Sequence, residues 1–209
     1  MLTDAQIDRY SRQIILPEVG GRGQQRLSQS RLALAGDPAA LEAILPYLAG
    51  AGVGCIHLPL VGQPLARMCA AIAKRNPEVR LEPWQDSSPP ADLTAFVLSR
   101  ESELPSLAAL DHSGVRPLML IRLIAPRAIV TLASRPPCLA CADPALLAPA
   151  CQEPGSIELP AEAIAIAGGG EILLQLLALA APAARLLRCS GYELNPCTLA
   201  AGTCCQRCA

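Results

Sequence analysis

The spacing of apolar and polar positions divides the chain into short strands and longer helical stretches. A charged, amphipathic N-terminus leads, and Thr3 with Gln6 forms a capping box that predicts a helix running through about Gln13. Ile14-Ile15-Leu16 then passes through Pro17 into a glycine-rich turn at Gly20-Gly21, and Gln24 to Ser28 predicts a second short helix. From there the pattern tightens. Leu32 to Ala35 is a short apolar run closed by the breakers Gly36 and Asp37, an Ala/Leu-rich helical segment follows, and a second strand spans Val53 to Leu60. The stretch from Arg31 to Leu60 therefore reads strand, turn, helix, strand, which is the opening unit of a parallel α/β sheet.

Further along, Pro64 to Lys74 predicts a helix with proline at its start, Val79 to Trp84 a strand, and Gln85 to Ala91 a surface loop. Leu93 to Ser99 reads as a buried strand, Leu104 to Leu110 as a helical turn or two, and Pro117 to Leu123 and Ala128 to Ala133 as two more strands. A long apolar helix opens at Ala161, and short strands are expected around Leu186 to Tyr192 and Thr198 to Ala201. Strands that alternate with helices and then follow one another directly predict an α/β, Rossmann-like, doubly wound and mainly parallel sheet with a short antiparallel C-terminal extension. The expected organisation is one domain over 1–209, with an N-terminal helical segment at 1–30, a Rossmann-like core at 31–134 and a C-terminal part at 135–209.

Composition narrows the function classes. A net charge of −1 with no run of like charges gives no electrostatic footprint for nucleic acid or an anionic membrane. The most apolar region, Ala161 to Leu187, is interrupted by Glu162, Glu171, three glycines and Pro182, so it reads as a buried helix and not a membrane span. The N-terminus lacks an apolar core followed by a cleavage site, and the protein is expected in the cytoplasm. Ten cysteines in such a compartment point to metal ligands or buried thiols before disulfides.

Two cysteine pairs share one spacing. Cys138-Leu-Ala-Cys141 and Cys205-Gln-Arg-Cys208 each carry a two-residue spacer that lets both sulfurs face one tetrahedral ion, and two such knuckles complete a four-thiolate structural zinc site. Such a site leaves no position open for water and would clamp the C-terminus to the loop before the long helix. Redox-active or incidental thiols are the alternative. Cys204 could substitute as a ligand only with a different knuckle geometry, Cys55 and Cys69 fall on apolar faces and read as core, Cys151 sits in a loop, and Cys189 and Cys197 carry no signal of their own.

With these pieces placed, the chain resembles the ThiF/MoeB/HesA family, relatives of the ubiquitin-activating enzymes. The resemblance rests on Arg9-Tyr-Ser-Arg12-Gln-Ile-Ile-Leu16, Gly20-Gly-Arg-Gly-Gln-Gln-Arg-Leu27, Leu48-Ala-Gly-Ala-Gly-Val-Gly54, Val61-Gly-Gln-Pro64 with Arg75-Asn-Pro77, and the two cysteine pairs. It implies adenylation of a ubiquitin-like sulfur carrier by a dimer that uses ATP and magnesium and holds a structural zinc.

The catalytic set that the resemblance implies does not carry over. The phosphate turn after the first strand is Asp37-Pro38-Ala39, where an anionic side chain and a proline replace glycines. The acidic ribose position at the end of the second strand falls at His57-Leu58-Pro59, a segment supplying an arginine and an asparagine is missing after Leu60, the phosphate lysine is Leu65, and Ser99-Arg100 stands where a magnesium aspartate would be. Lys74, the chain's one lysine, lies more than two helical turns from Leu65. ATP and magnesium binding is thus expected to be lost. Arg12 matches the arginine that, in the family, crosses the dimer to the partner's nucleotide.

The resemblance accordingly implies an inactive partner or scaffold of an active paralogue, as heterodimer or homodimer, serving a ubiquitin-like sulfur carrier and contributing Arg12 in trans. Two enzyme readings compete with it: sulfur transfer on the loop thiol of Cys151, and residual adenylyltransfer to a carrier.

Overall fold

A computed structural model describes residues 1–36, 38–85, 88–98, 118–124, 128–133, 161–178, 185–190 and 193–198. The first helix, α1, spans Asp4–Ile14. Its predicted capping box is present, with the Gln6 amide donating to Thr3 Oγ1 at 3.2 Å and the Thr3 amide to Gln6 Oε1 at 2.9 Å. The second helix, α2, covers Gly20–Gln29 and takes in the glycines expected as a turn. Only Gly20, at φ +58°, keeps a turn conformation. Gly23 lies against Val19 and Leu177, so the absence of a side chain there lets the helix begin early and pack close.

Strand β1 (Arg31–Gly36), helix α3 (Pro38–Ala51), strand β2 (Cys55–Leu58), helix α4 (Gly62–Arg75) and strand β3 (Arg80–Pro83) follow in order. Helix α3 opens on proline, whose fixed φ and missing donor suit a first helical position. Strand β2 starts later than the apolar run that predicted it because Gly52, at φ +86°, turns the chain and the ladder begins at Cys55. Strand β4 is Leu93–Leu98, β5 is Leu118–Ile124, β6 is Ala128–Ala133, helix α5 is Ala161–Leu176, β7 is Arg185–Ser190 and β8 is Glu193–Thr198. Helix α5 stops well short of Leu187, and Arg185 to Ser190 is extended.

The strands form one sheet in the order β3-β2-β1-β4-β5-β6-β7-β8. Pairing is parallel from β3 through β5 and antiparallel from β5 to β8. One face carries Leu32, Leu34, Ile56, Leu58, Ala95 and Val97, and against it pack Leu41, Ile44, Leu45 and Leu48 of α3, Ile72 of α4, and Ile172 and Leu176 of α5. Each of the Leu, Ile and Val side chains among these contributes on the order of 1.5–3 kcal/mol by leaving water. Gly169 comes up to the Ile44 side chain, so the glycine run of α5 brings it close to α3. Among the described residues no helix is long and apolar enough to cross a membrane.

Candidate functional site

The strand order reverses between β1 and β4, and open α/β sheets bind ligands beyond the carboxyl ends of the strands at such a switch point. Gly36 ends β1 there, at φ +154°, with the Val97 carbonyl so near that a Cβ would overlap it. A glycine is therefore needed to close this end of the β1–β4 ladder. Helix α3 starts immediately after at Pro38, so one of its N-terminal amide donors is missing. Leu65 is half-buried against the core cluster at the start of α4, so an apolar contact stands where the resemblance implies a cation. Lys74 and Arg75 lie at the far end of α4. Trp84 and Phe96 meet with ring centroids 6.2 Å apart. Phe96 pairs with Ala35 in the ladder.

Strand β2 ends within the segment His57-Leu58-Pro59, as expected; His57 pairs with Ala33 on one side and Glu82 on the other, and it is only 2% exposed. Its side chain therefore shares a sheet face with Cys55.

The motifs that carried the resemblance converge at the opposite edge of the sheet, where the strands begin. The Tyr10 ring of α1 is buried, and its hydroxyl accepts from Asn76 Nδ2 at 2.7 Å and lies 3.4 Å from Glu78 Oε2. Asn76 Nδ2 also donates to the Ala49 carbonyl at 2.8 Å, which accepts from the Gly52 amide as well, and Gln24 Nε2 donates to the Ala51 carbonyl at 2.9 Å, so both side chains cap the end of α3. Gln13 Nε2 reaches the Gly50 carbonyl at 3.3 Å. Gly52 is what makes room, since a Cβ there would lie 2.7 Å from the Tyr10 hydroxyl and 2.8 Å from Gln24 Nε2. Burial raises the Tyr10 phenol above its ordinary pKa; the Asn76 hydrogen bond opposes this and the Glu78 charge adds to it. Sequence patterning reveals the four motifs but not that they form one knot, because their partners lie up to 68 residues apart.

Arg12 is exposed in the last turn of α1, with no hydrogen bond or ion pair among the described residues. Arg9, by contrast, donates from Nη1 to the Arg75 carbonyl at 3.1 Å and so caps the end of α4. Cys138, Cys141, Cys151, Cys205 and Cys208 lie outside the described residues, as do Asp37, Ser99 and Arg100.

A sequence relative, the SAMP-activating enzyme E1 of Haloferax volcanii, is 36% identical over 39% of this chain and 38% of its own length. The sulfur carrier protein adenylyltransferase of Thermus thermophilus is 44% identical over 25% of this chain and 19% of its own. The matched stretches thus span well under half of these relatives. In structure, E. coli MccB solved with succinimide superposes at a TM-score of 0.68 over 96% of this chain and 74% of that one, at 14% identity. These partial sequence matches support a ThiF/MoeB-like family, and MccB shares the fold. No family model matches this chain. The sheet and its switch point are in place, and the strand-start knot holds α1 and α2 to it.

Proposed function

We propose that this ThiF/MoeB-like protein works in sulfur-carrier or ubiquitin-like activation without an ATP and magnesium site of its own, as inactive partner or scaffold of an active adenylyltransferase. The observation that carries this reading is a contrast between the two sheet edges. At the strand starts, the motif residues Tyr10, Gln24 and Asn76 converge around Gly52, with Asn76 bonded to Tyr10 and both amides donating to the end of α3. At the strand ends, the positions that should meet phosphate offer a proline at the head of α3 and a leucine packed on the core at the head of α4. A triphosphate needs donors and positive charge where these stand.

Arg12 supports a role in trans, since it projects from the edge opposite its own crevice and engages nothing described. A guanidinium supplied to a partner's nucleotide stabilises phosphate charge without its own subunit binding ATP. A groove of about 490 Å³ beside it, lined by Leu16, Val19, Tyr47, Ile166 and Leu173 among others, supports a dimer face. Ile15, Leu16 and Tyr47 are exposed around it. The four thiolates of Cys138, Cys141, Cys205 and Cys208 have the donor chemistry of a structural zinc site. In this reading residues 1–209 form one cytoplasmic domain that pairs with an active paralogue or itself, and the carrier partner follows the naming of the relatives.

The test is calorimetric titration of the isolated chain with ATP and magnesium, with pyrophosphate release measured beside a glycine-ended carrier protein. No binding and no pyrophosphate is expected. Tight nucleotide binding or carrier-dependent pyrophosphate overturns the reading in favour of a working adenylyltransferase.

A further inference from the structure

On the sheet face opposite the main core, three side chains from two neighbouring strands come together. Cys55 and His57 are two residues apart on β2 and share a face, and Glu82 of edge strand β3 pairs with His57 in the ladder. Cys55 Sγ lies 3.7 Å from His57 Nε2, and Glu82 Oε2 lies 3.9 Å from His57 Nδ1. One donor atom from each residue falls within 4.8 Å of the others.

We propose that Cys55, His57 and Glu82 form a binding site for a borderline divalent transition metal of the zinc class, distinct from the four-cysteine site. Thiolate, imidazole and carboxylate are the three protein donors such an ion takes, and bonds of about 2.0–2.3 Å put tetrahedral donors roughly 3.3–3.8 Å apart. The sulfur-to-nitrogen separation already fits. The carboxylate has to close by less than about 1 Å, and its side chain, 41% exposed, is free to do so. The other carboxylate oxygen, Oε1, is held by Arg80 Nη1 at 3.5 Å, which leaves Oε2 facing the imidazole.

A second observation independently asks for a ligand. His57 Nδ1 is buried and has no hydrogen-bond partner, the nearest carboxylate oxygen being too distant to accept. A buried ring nitrogen left this way is destabilising, and coordination or the closing of Glu82 would relieve it. Charge also balances, because a thiolate and a carboxylate neutralise a dication while the imidazole stays neutral. Binding replaces the thiol proton by the ion and releases that proton to solvent. Three protein donors leave a fourth position for water, on the side where Glu82 opens to solvent. The ion would tie edge strand β3 to β2.

The test uses the full chain with cadmium exchanged for its native metal. Cadmium-113 NMR separates a site with one sulfur from one with four. A one-sulfur resonance is expected in the wild type and is lost in His57→Gln and Glu82→Gln, each of which also binds one equivalent of zinc fewer by elemental analysis. A wild-type spectrum without a one-sulfur resonance overturns the proposal whatever the variants do. So does a one-sulfur resonance that persists in both folded variants.

Discussion

The Asn76 amide donates to the Tyr10 hydroxyl at 2.7 Å and to the Ala49 carbonyl at 2.8 Å, joining α1, α3 and the turn before β3 at one buried point. Its own oxygen accepts from the Glu78 amide at 3.2 Å. Asn76→Asp keeps that acceptor and removes both donors. A loss of about 2–4 kcal/mol is expected from urea unfolding, since the Tyr10 and Ala49 oxygens lose the Asn76 donor and face a buried charge instead. Tyr10→Phe, which removes only the hydroxyl, should cost about 1–2 kcal/mol. Equal effects of the two would contradict the geometry.

Glycine replacements should separate by position. Gly52→Ala places a Cβ against the Tyr10 ring and Gln24 at φ +86°, and Gly54→Ala drives one into the Ser28 carbonyl. Each is expected to lower stability by about 2 kcal/mol or more. Gly50, in the last turn of α3, has nothing near its Cβ position. Gly50→Ala should be neutral or stabilising by up to about 1 kcal/mol. Thermal unfolding of the three variants side by side decides it.

The α/β class and the parallel β1 to β5 core were legible because most of the strands are short apolar runs and two helices carry a start signal, the capping box at Thr3 and the proline at Pro64. Boundaries were less so. Gly20 and Gly21 look like a turn but enter α2, since tertiary packing of Gly23 on Leu177 outweighs local propensity. The Tyr10, Gln24, Gly52 and Asn76 motifs were visible singly, yet periodicity does not say which distant residues touch. The segment His57-Leu58-Pro59 was placed at a strand end by resemblance, where β2 does end, but only the register shows His57 beside Cys55 and Glu82. Cys55 was rightly read as buried, but its neighbours come from strand pairing and so left no local mark in the sequence.

Two arginines of one motif should behave oppositely. Arg9 caps α4 through the Arg75 carbonyl, whereas Arg12 is exposed and engages no described residue. Arg9→Ala is expected to destabilise the isolated chain by about 0.5–1 kcal/mol, and Arg12→Ala by less than about 0.5 kcal/mol. Under the proposed role in trans, Arg12→Ala should instead slow carrier adenylation by a co-purified active paralogue, and Arg9→Ala should not. Unchanged turnover in Arg12→Ala at full complex formation removes the trans role.

Alkaline titration tests the knot without disrupting it. The Tyr10 phenol is raised above its ordinary value of 10.0, chiefly by burial. The folded state therefore holds this proton more tightly than the unfolded state does. The stability this contributes is complete below about pH 10 and is lost as pH rises through the higher folded value. Urea midpoints of the wild type should fall over that window, and Tyr10→Phe, less stable at neutral pH, should fall more gently because it has no phenol to ionise. The two curves must then converge as pH rises. Parallel curves from pH 9 to 11.5 would mean that Tyr10 ionises alike in both states, and the Asn76 and Glu78 contacts would not be holding a buried phenol.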